Sequence, residues 1–322
     1  MEHTASTHLA LRYAEFGNPK QVLALAQTDL PRRAARSLRV RMIAAPINPS
    51  DLIPIWGAYK HLITPPMIAG YEGVGRVIDA PDSHADLVGQ RVLPLRGAGT
   101  WQQVLDCDAD IAVPVPGDVP TDLAARGYIN PLTAQYLLRE WPVRGKRVVL
   151  TGAGSFIAAI LAQWARADGA SEVIGIYRSA QRRAALEAMG VVPVHDSDTQ
   201  AIQSIAASSR LVVDAVGGPM ALSILNAMPE GGEFVGYGLL SGQSVFPNSA
   251  TRANLRRFHL RDRLKDLSHP AWQQQFQTIW PRLMATQLPG VETFDLHDWQ
   301  AALAAFDRPG RAGKPVLRFS QG

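Results

Sequence analysis

The chain has 322 residues, 47% of them hydrophobic and 19% charged, a length that suggests two domains at about 150 residues each. One cysteine, Cys107, excludes a disulfide framework within the chain and any zinc site built from several thiolates. The net charge of +4 comes from dispersed basic residues, only five of them lysines, with no nucleic-acid motif among them, so nucleic acid is not an expected partner.

The opening MEHTASTHLALRYAEFG lacks the charged n-region and continuous apolar h-region of a secretory signal. Residues 148–165 are charge-free and reach membrane-span length, but they hold two glycines and a turn. No membrane span is expected, and a cytoplasmic location is. There is no internal repeat.

The first 120 residues are rich in short β-like runs punctuated by Pro and Gly: LRVRMIAAPINPSD, GVGRVIDAP, GQRVLPL, WQQVLDC and IAVPVPGDVP. Runs at this spacing predict a compact β-rich domain. The pattern changes at Thr121, and residues 122–140 read as helical, interrupted by Gly127 and Pro131. From Arg147 strands alternate with helices. VVLTG is an apolar strand, SFIAAILAQWARADG a helix closed by Gly169, and EVIGIY the next strand. SAQRRAALEAMG is a second helix with Ser179 as N-cap and Gly190 past its end. VVPVHD, LVVDAVGG and GEFVGYG follow as short buried strands, with the helical stretch PMALSILNAM between the last two. This rhythm predicts an α/β fold with a doubly wound parallel sheet. After Arg256 the chain reads as helical, with Leu260, Leu264 and Leu267 on one face, and KPVLRF is a final strand able to return to the first domain.

Between the strand at 148–151 and its helix lies Gly152-Ala153-Gly154-Ser155-Phe156-Ile157. Glycines there permit a tight turn and close backbone approach to a pyrophosphate, and the helix N-terminus adds partial positive charge. Ile157 takes the place of the third glycine, which implies wider helix–strand spacing but no loss of phosphate binding. The second strand ends at Tyr177 and offers Arg178-Ser179, with Arg182 and Arg183 following, where an NAD enzyme usually places a carboxylate for the ribose hydroxyls. An arginine fork suits a 2′-phosphate, so NADPH is the expected cofactor. Solvation of a helix face is the competing reading for at least one of Arg182 and Arg183.

The stretch AAPINPSDLIPIWGAYKHLITPPMIAGYEGVGRV, followed in order by GYINPLTA, the glycine turn, DAVGG and GGEFVGYG, resembles the medium-chain dehydrogenase/reductase superfamily over nearly the whole chain. The resemblance implies a GroES-like catalytic domain over residues 1–120, completed by 265–322, and a Rossmann cofactor domain over 121–264. Zinc-dependent members carry a Cys and a His where this chain has Asn48 and Tyr71, and the lobe with four structural cysteines is missing. Neither residue is a soft zinc ligand, so no metal is expected.

Within the superfamily the chain looks most like the zinc-independent branch, in particular the mitochondrial-type trans-2-enoyl thioester reductases, whose catalytic tyrosine in a Gly-x-Tyr context corresponds to Tyr59. The resemblance implies hydride delivery to the β-carbon of an activated double bond, with Tyr59 assisting enolate protonation. A phenol with a reference pKa of about 10 is a reasonable donor for that step. Packing beside Trp56 is the competing reading of Tyr59. By the same resemblance Asn48, Asn130 and Thr133, the turn Gly152, Ala153, Gly154, Ser155 and Phe156, then Arg178, Ser179, Tyr237, Gly238, Phe258, Leu260 and Lys314 contact the cofactor. His259 departs from the Phe-Trp-Leu of the family, and a helix face packed on the core competes as the role of Phe258.

The histidines show no metal spacing, His61 reads as a surface residue, and no GxSxG nucleophile elbow occurs. The basic run LRRFHLRDRLK could attract coenzyme A or an acyl-carrier thioester, against the alternative of a solvated helix end. A small-molecule substrate and a homodimer are expected. A zinc-independent quinone oxidoreductase is the alternative enzyme, and a low-turnover NADPH-binding sensor or structural protein is the alternative from another class.

Overall fold

The computed structural model describes residues 7–320; the first six residues, part of the stretch read for a leader, lie outside the described residues. The chain forms two compact units. The first runs to Ile129 and adds Leu267–Met284 and the chain from Pro289 onward, while the second holds Asn130–Asp266 with Ala285–Leu288.

In the first unit β1 (Thr7–Tyr13) pairs antiparallel with β2 (Leu23–Asp29). Strand β3 (Ser37–Pro46) shows why this unit is β-rich. Leu38, Val40, Met42 and Ala44 are fully buried at alternate positions, while Arg39 and Arg41 face outward. Such alternation fits an antiparallel sheet with one face on a core. β4 (Met67–Ile68) pairs with β1, and β5 (Val74–Asp79) with β3. β6 (Arg91–Leu93) and β8 (Val113–Pro114) extend that sheet, and β7 (Val104–Asp108) pairs with β3. In the β3–β7 register Leu38 lies opposite Cys107, which is 3% exposed, and Arg39 opposite Asp106, which it grips through Nε at 2.8 Å and Nη2 at 3.0 Å.

The predicted helix over 122–140 is two helices, Thr121–Ala124 and Ile129–Glu140. In the second unit β9 (Arg147–Thr151) and β10 (Glu172–Tyr177) are buried almost throughout, as strands with both faces covered must be. β11 (Val192–His195), β12 (Leu211–Asp214), β13 (Glu233–Gly236) and β14 (Asn254–Arg257) complete a six-stranded sheet of order β11-β10-β9-β12-β13-β14, with every pairing parallel. Two expectations need correction. The strand in VVPVHD is a sheet edge, with Val192 44% exposed, so it is not buried. The chain at Arg256 is not yet helical: residues 254–257 form the opposite edge strand, and the helix that follows spans Leu260–Leu264. An edge strand with one neighbour needs no apolar run. Here Glu233 on β13 binds Arg256 Nε at 2.9 Å and Asn254 Nδ2 at 2.9 Å.

Back in the first unit, β15 (Val291–Asp295) pairs parallel with β16 (Lys314–Arg318), and β16 pairs antiparallel with β3, Val316 opposite Pro46. Each unit has its own core. Leu38, Met42, Ile47, Ile55 and Trp101 anchor the first, and Val149, Ile174, Val212, Ile224 and Phe234 the second. Among the described residues no helix is long and apolar enough to cross a membrane.

Candidate active site

In the first unit, β3 runs out at Pro46 and the chain turns through Asn48 into the short helix Pro49–Leu52. Asp51, in the first turn of that helix, accepts from the backbone N–H of Asn48 at 2.7 Å and of Tyr71 at 2.8 Å, fastening the two loops together. Glu72 accepts from Asn48 Nδ2 at 2.7 Å and from the N–H of Ile129 at 2.8 Å. Lys314 Nζ donates to Asn48 Oδ1. All four side chains are buried, Asn48 and Asp51 at 2% exposure, Glu72 at 0% and Lys314 at 6%. Burial pushes the Lys314 ammonium down to about 8 against the pull of Glu72 and Asp51. Burial and then repulsion from Glu72 push the Asp51 carboxyl up to about 7, and burial also raises Glu72. Sequence reading singled out Asn48 and Lys314 but missed Asp51 and Glu72. Their one visible sign is charge in otherwise apolar, glycine-flanked stretches.

This arrangement bears on zinc. At the two positions where zinc-dependent members carry soft ligands stand an amide and a phenol, and the amide oxygen already accepts from an ammonium. That donor set does not fit zinc. Among the described residues no group of three or more His, Cys, Asp or Glu is placed to hold a metal ion.

Tyr59 lies half-buried in a run of tight turns after Leu52. Its carbonyl accepts from the N–H groups of Leu62 at 2.8 Å and Ile63 at 3.0 Å. Gly57 shapes the approach, with a left-handed φ of +87° and Phe16 against the space a Cβ would take. Trp56 is 58% exposed and Leu62 63% exposed on the same run, and His61 is exposed.

In the second unit the candidate residues gather at the carboxyl ends of the parallel strands, the usual ligand crevice of such sheets. Gly152, just past β9, adopts φ +59°, and Ser155 caps the helix Phe156–Ala167 by accepting from the N–H of Ala158 at 3.3 Å. Gly238 follows β13 where an added Cβ would stand 2.7 Å from the Ala215 carbonyl oxygen. The Tyr237 hydroxyl meets the Ser155 hydroxyl, and burial followed by the Asp214 charge pushes the phenol up. Sequence reading missed the staple beneath the crevice. Asp214, 1% exposed at the end of β12, accepts from Thr151 Oγ1 at 2.5 Å and from the N–H groups of Gly217 at 2.9 Å and Val216 at 3.2 Å. Thr151 Oγ1 in turn accepts from the N–H of Ala215 at 2.9 Å.

Arg178 and Ser179 leave the end of β10. Ser179 precedes a single turn, Ala180–Arg182, and makes no side-chain cap, so its N-cap role is positional only. The arginines that follow divide. Arg183 pairs with Glu187 at 2.9 Å along its own helix, whereas the Arg182 stem lies across Gly154, its Cγ 3.0 Å from where a Cβ there would stand. Burial lowers the Arg182 guanidinium.

Asn130 and Thr133 sit at the start of the helix Ile129–Glu140, Thr133 buried. Phe258 donates its N–H to the Gly236 carbonyl at 2.9 Å, and its buried ring lies 6.4 Å from the Trp141 ring and beneath the Arg263 guanidinium. Leu260 is half-buried and opens the next helix, and His259 is exposed at its N-cap without a side-chain bond. The basic run is partly committed within its own unit, Arg263 to Glu140 at 2.8 Å and Arg256 to Glu233 at 2.9 Å.

Residues 34–117 match the alcohol dehydrogenase GroES-like domain, and residues 157–274 match the zinc-binding dehydrogenase family. The chain is 28% identical to the human mitochondrial enoyl-[acyl-carrier-protein] reductase, over 96% of this chain and 88% of that protein. It is 31% identical to the Xenopus tropicalis mitochondrial enoyl-[acyl-carrier-protein] reductase, over 76% of this chain and 74% of that one. A solved structure from Bacillus thuringiensis, provisionally assigned as an NADPH:quinone reductase, superposes with a TM-score of 0.89 at 31% identity and covers 98% of this chain and 99% of that one. With a GroES-like domain, a parallel cofactor-type sheet and relatives that align across most of its length, the chain belongs to the medium-chain dehydrogenase/reductase superfamily.

Proposed function

We propose that the protein is an NADPH-dependent, metal-free reductase of activated carbon–carbon double bonds, of the 2-enoyl thioester kind. The observation that carries this reading is its likeness, over 96% of the chain, to an enoyl-[acyl-carrier-protein] reductase, with Tyr59 in a Gly-x-Tyr context. On this reading the turn from Gly152 to Phe156 receives the pyrophosphate at a helix N-terminus, Arg178 and Ser179 receive the 2′-phosphate, and Tyr237 and Gly238 lie by the nicotinamide. The glycine turn and the capped helix behind it fit such a group. When bound, NADPH supplies the hydride that goes to the β-carbon. The π pair then moves onto the thioester as an enolate, which Tyr59 stabilises by hydrogen bonding and protonates at the α-carbon, directly or through water.

The test is NADPH oxidation with a crotonyl thioester. Tyr59→Phe is expected to lower kcat by about 10²-fold or more with little change in binding. Quinone reduction indifferent to Tyr59→Phe favours the second reading, an NADPH:quinone oxidoreductase, which the Bacillus thuringiensis relative supports. Tight NADPH binding with neither activity favours a sensor. Alcohol oxidation that a chelator abolishes overturns the metal-free reading. A cytoplasmic location and a homodimer belong to the same proposal. The dimer is supported by β14, which ends the sheet with one paired neighbour among the described residues, and sedimentation checks it.

A further inference from the structure

We propose that His195 is a positioning residue that sets the preference for NADPH over NADH by holding the backbone that carries Arg178. The proposal rests on the reading that Arg178 and Ser179 receive the 2′-phosphate.

His195 ends β11 directly opposite Tyr177, the last residue of β10, so the two loops that leave these strands start side by side. Its imidazole joins them. Nε2 lies 2.8 Å from the Arg178 carbonyl oxygen, which only accepts, so Nε2 carries the proton. Nδ1 faces the backbone N–H of Ser197 at 3.3 Å, which only donates, so Nδ1 is bare; the Ser197 hydroxyl lies 2.7 Å from the same nitrogen. Both partners fit a ring with its proton on Nε2. The ring is seated edge-on against Tyr177, centroids 5.3 Å apart and planes at 90°, and Tyr177 is 4% exposed. The N–H of Asp196 donates to the Tyr177 carbonyl at 2.8 Å, so the backbone under the imidazole is also tied across the strands.

The charged groups around the ring come from both loops. The Asp196 carboxylate lies 3.5 Å from Nδ1, and Arg183 interacts with the Tyr177 hydroxyl. Arg182 is occupied across Gly154. Among the described residues the Arg178 carbonyl is held by His195, and that bond fixes the peptide from which the Arg178 side chain departs. NADH has no 2′-phosphate for Arg178 to meet. Loosening that peptide therefore weakens NADPH and spares NADH.

The test measures Kd for NADPH and NADH by nicotinamide fluorescence on the intact protein and its variants, with thermal melts alongside. His195→Ala is expected to raise Kd for NADPH roughly fivefold, the worth of one hydrogen bond, and to leave NADH within about twofold. His195→Gln, whose Nε2–H can reach the same carbonyl, is expected to restore most of the NADPH affinity. An equal rise for both cofactors in His195→Ala, or none, overturns the proposal. Arg178→Ala separates it from the reading beneath it. An unchanged NADPH-to-NADH ratio in Arg178→Ala overturns the phosphate site and the proposal together, whereas a changed ratio there with an unchanged one in His195→Ala overturns the proposal alone.

Discussion

Asn48 gives its amide N–H to Glu72 at 2.7 Å, while the oxygen of the same amide takes a hydrogen bond from Lys314. One neutral side chain thus bridges a buried carboxylate and a buried ammonium, with Asp51 as a second carboxylate on the same loop. The Lys314 charge pulls on both carboxylates, and Arg126 interacts with Glu72 as well.

Lys314→Met keeps the stem and removes that charge. Breaking one side of a buried charged network costs about 3–5 kcal/mol, because the remaining charge is left without compensation. Urea unfolding of the variant is expected to show a loss in this range. A loss under about 1 kcal/mol would mean the carboxylates simply take up protons.

The same group makes stability depend on pH. Asp51 is pushed up to about 7, while in an unfolded chain an aspartate titrates near about 3.9. Between these values the folded state keeps a proton that the unfolded chain has lost, so rising pH draws the equilibrium toward unfolding. The Asp51 contribution is most favourable below pH of about 4, declines toward 7, and is flat beyond. Lys314, pushed down to about 8, acts in the next window. Its cost is full below that value and is relieved as pH rises toward about 10.4. Asp51→Asn is expected to flatten the difference in unfolding free energy between pH 4 and 7. An unchanged slope would remove Asp51 from the account.

Beneath the cofactor crevice, Thr151→Val is nearly isosteric and strips a hydroxyl that donates to Asp214 and accepts from Ala215. Leaving a buried N–H and a carboxylate oxygen short of partners costs about 1–3 kcal/mol. Thermal denaturation should show a lower Tm, and Thr151→Ser should recover most of it.

Two glycines two positions apart should respond in opposite ways. An alanine at Gly238 places its Cβ 2.7 Å from the Ala215 carbonyl oxygen, so backbone must move, at about 1–3 kcal/mol, with weaker NADPH binding. At Gly236 the nearest atom, the Arg256 carbonyl oxygen, is 3.9 Å away. Gly236→Ala is expected to leave both stability and NADPH titrations close to wild type.

What could be read from the residues follows the physics of burial. β9 and β10 are covered on both faces, so their apolar runs announce them, and Gly152 marks the turn between strand and helix. β14 carries Asn254 and two arginines because a sheet edge tolerates them, and nothing in that composition marks a strand. Tyr59 and Arg178 stand out by local context. Asp51, Glu72, Thr151 and Asp214 do not, since their partners are brought close only by folding: Thr151 lies 63 residues from Asp214, and Asn48 lies 266 from Lys314. Spacing along a chain holds no record of such bonds.

Cys107 has a practical consequence. Its thiol sits on β7 against β3, and burial, then Asp106 and Asp108, push it up to about 12. A thiol so rarely ionised and so enclosed is silent toward disulfide reagents while β3 and β7 stay paired. It is also the single thiol in the chain. Labelling kinetics therefore time the opening of the first unit alone, with no second cysteine to blur the signal, and they do so in unmodified protein.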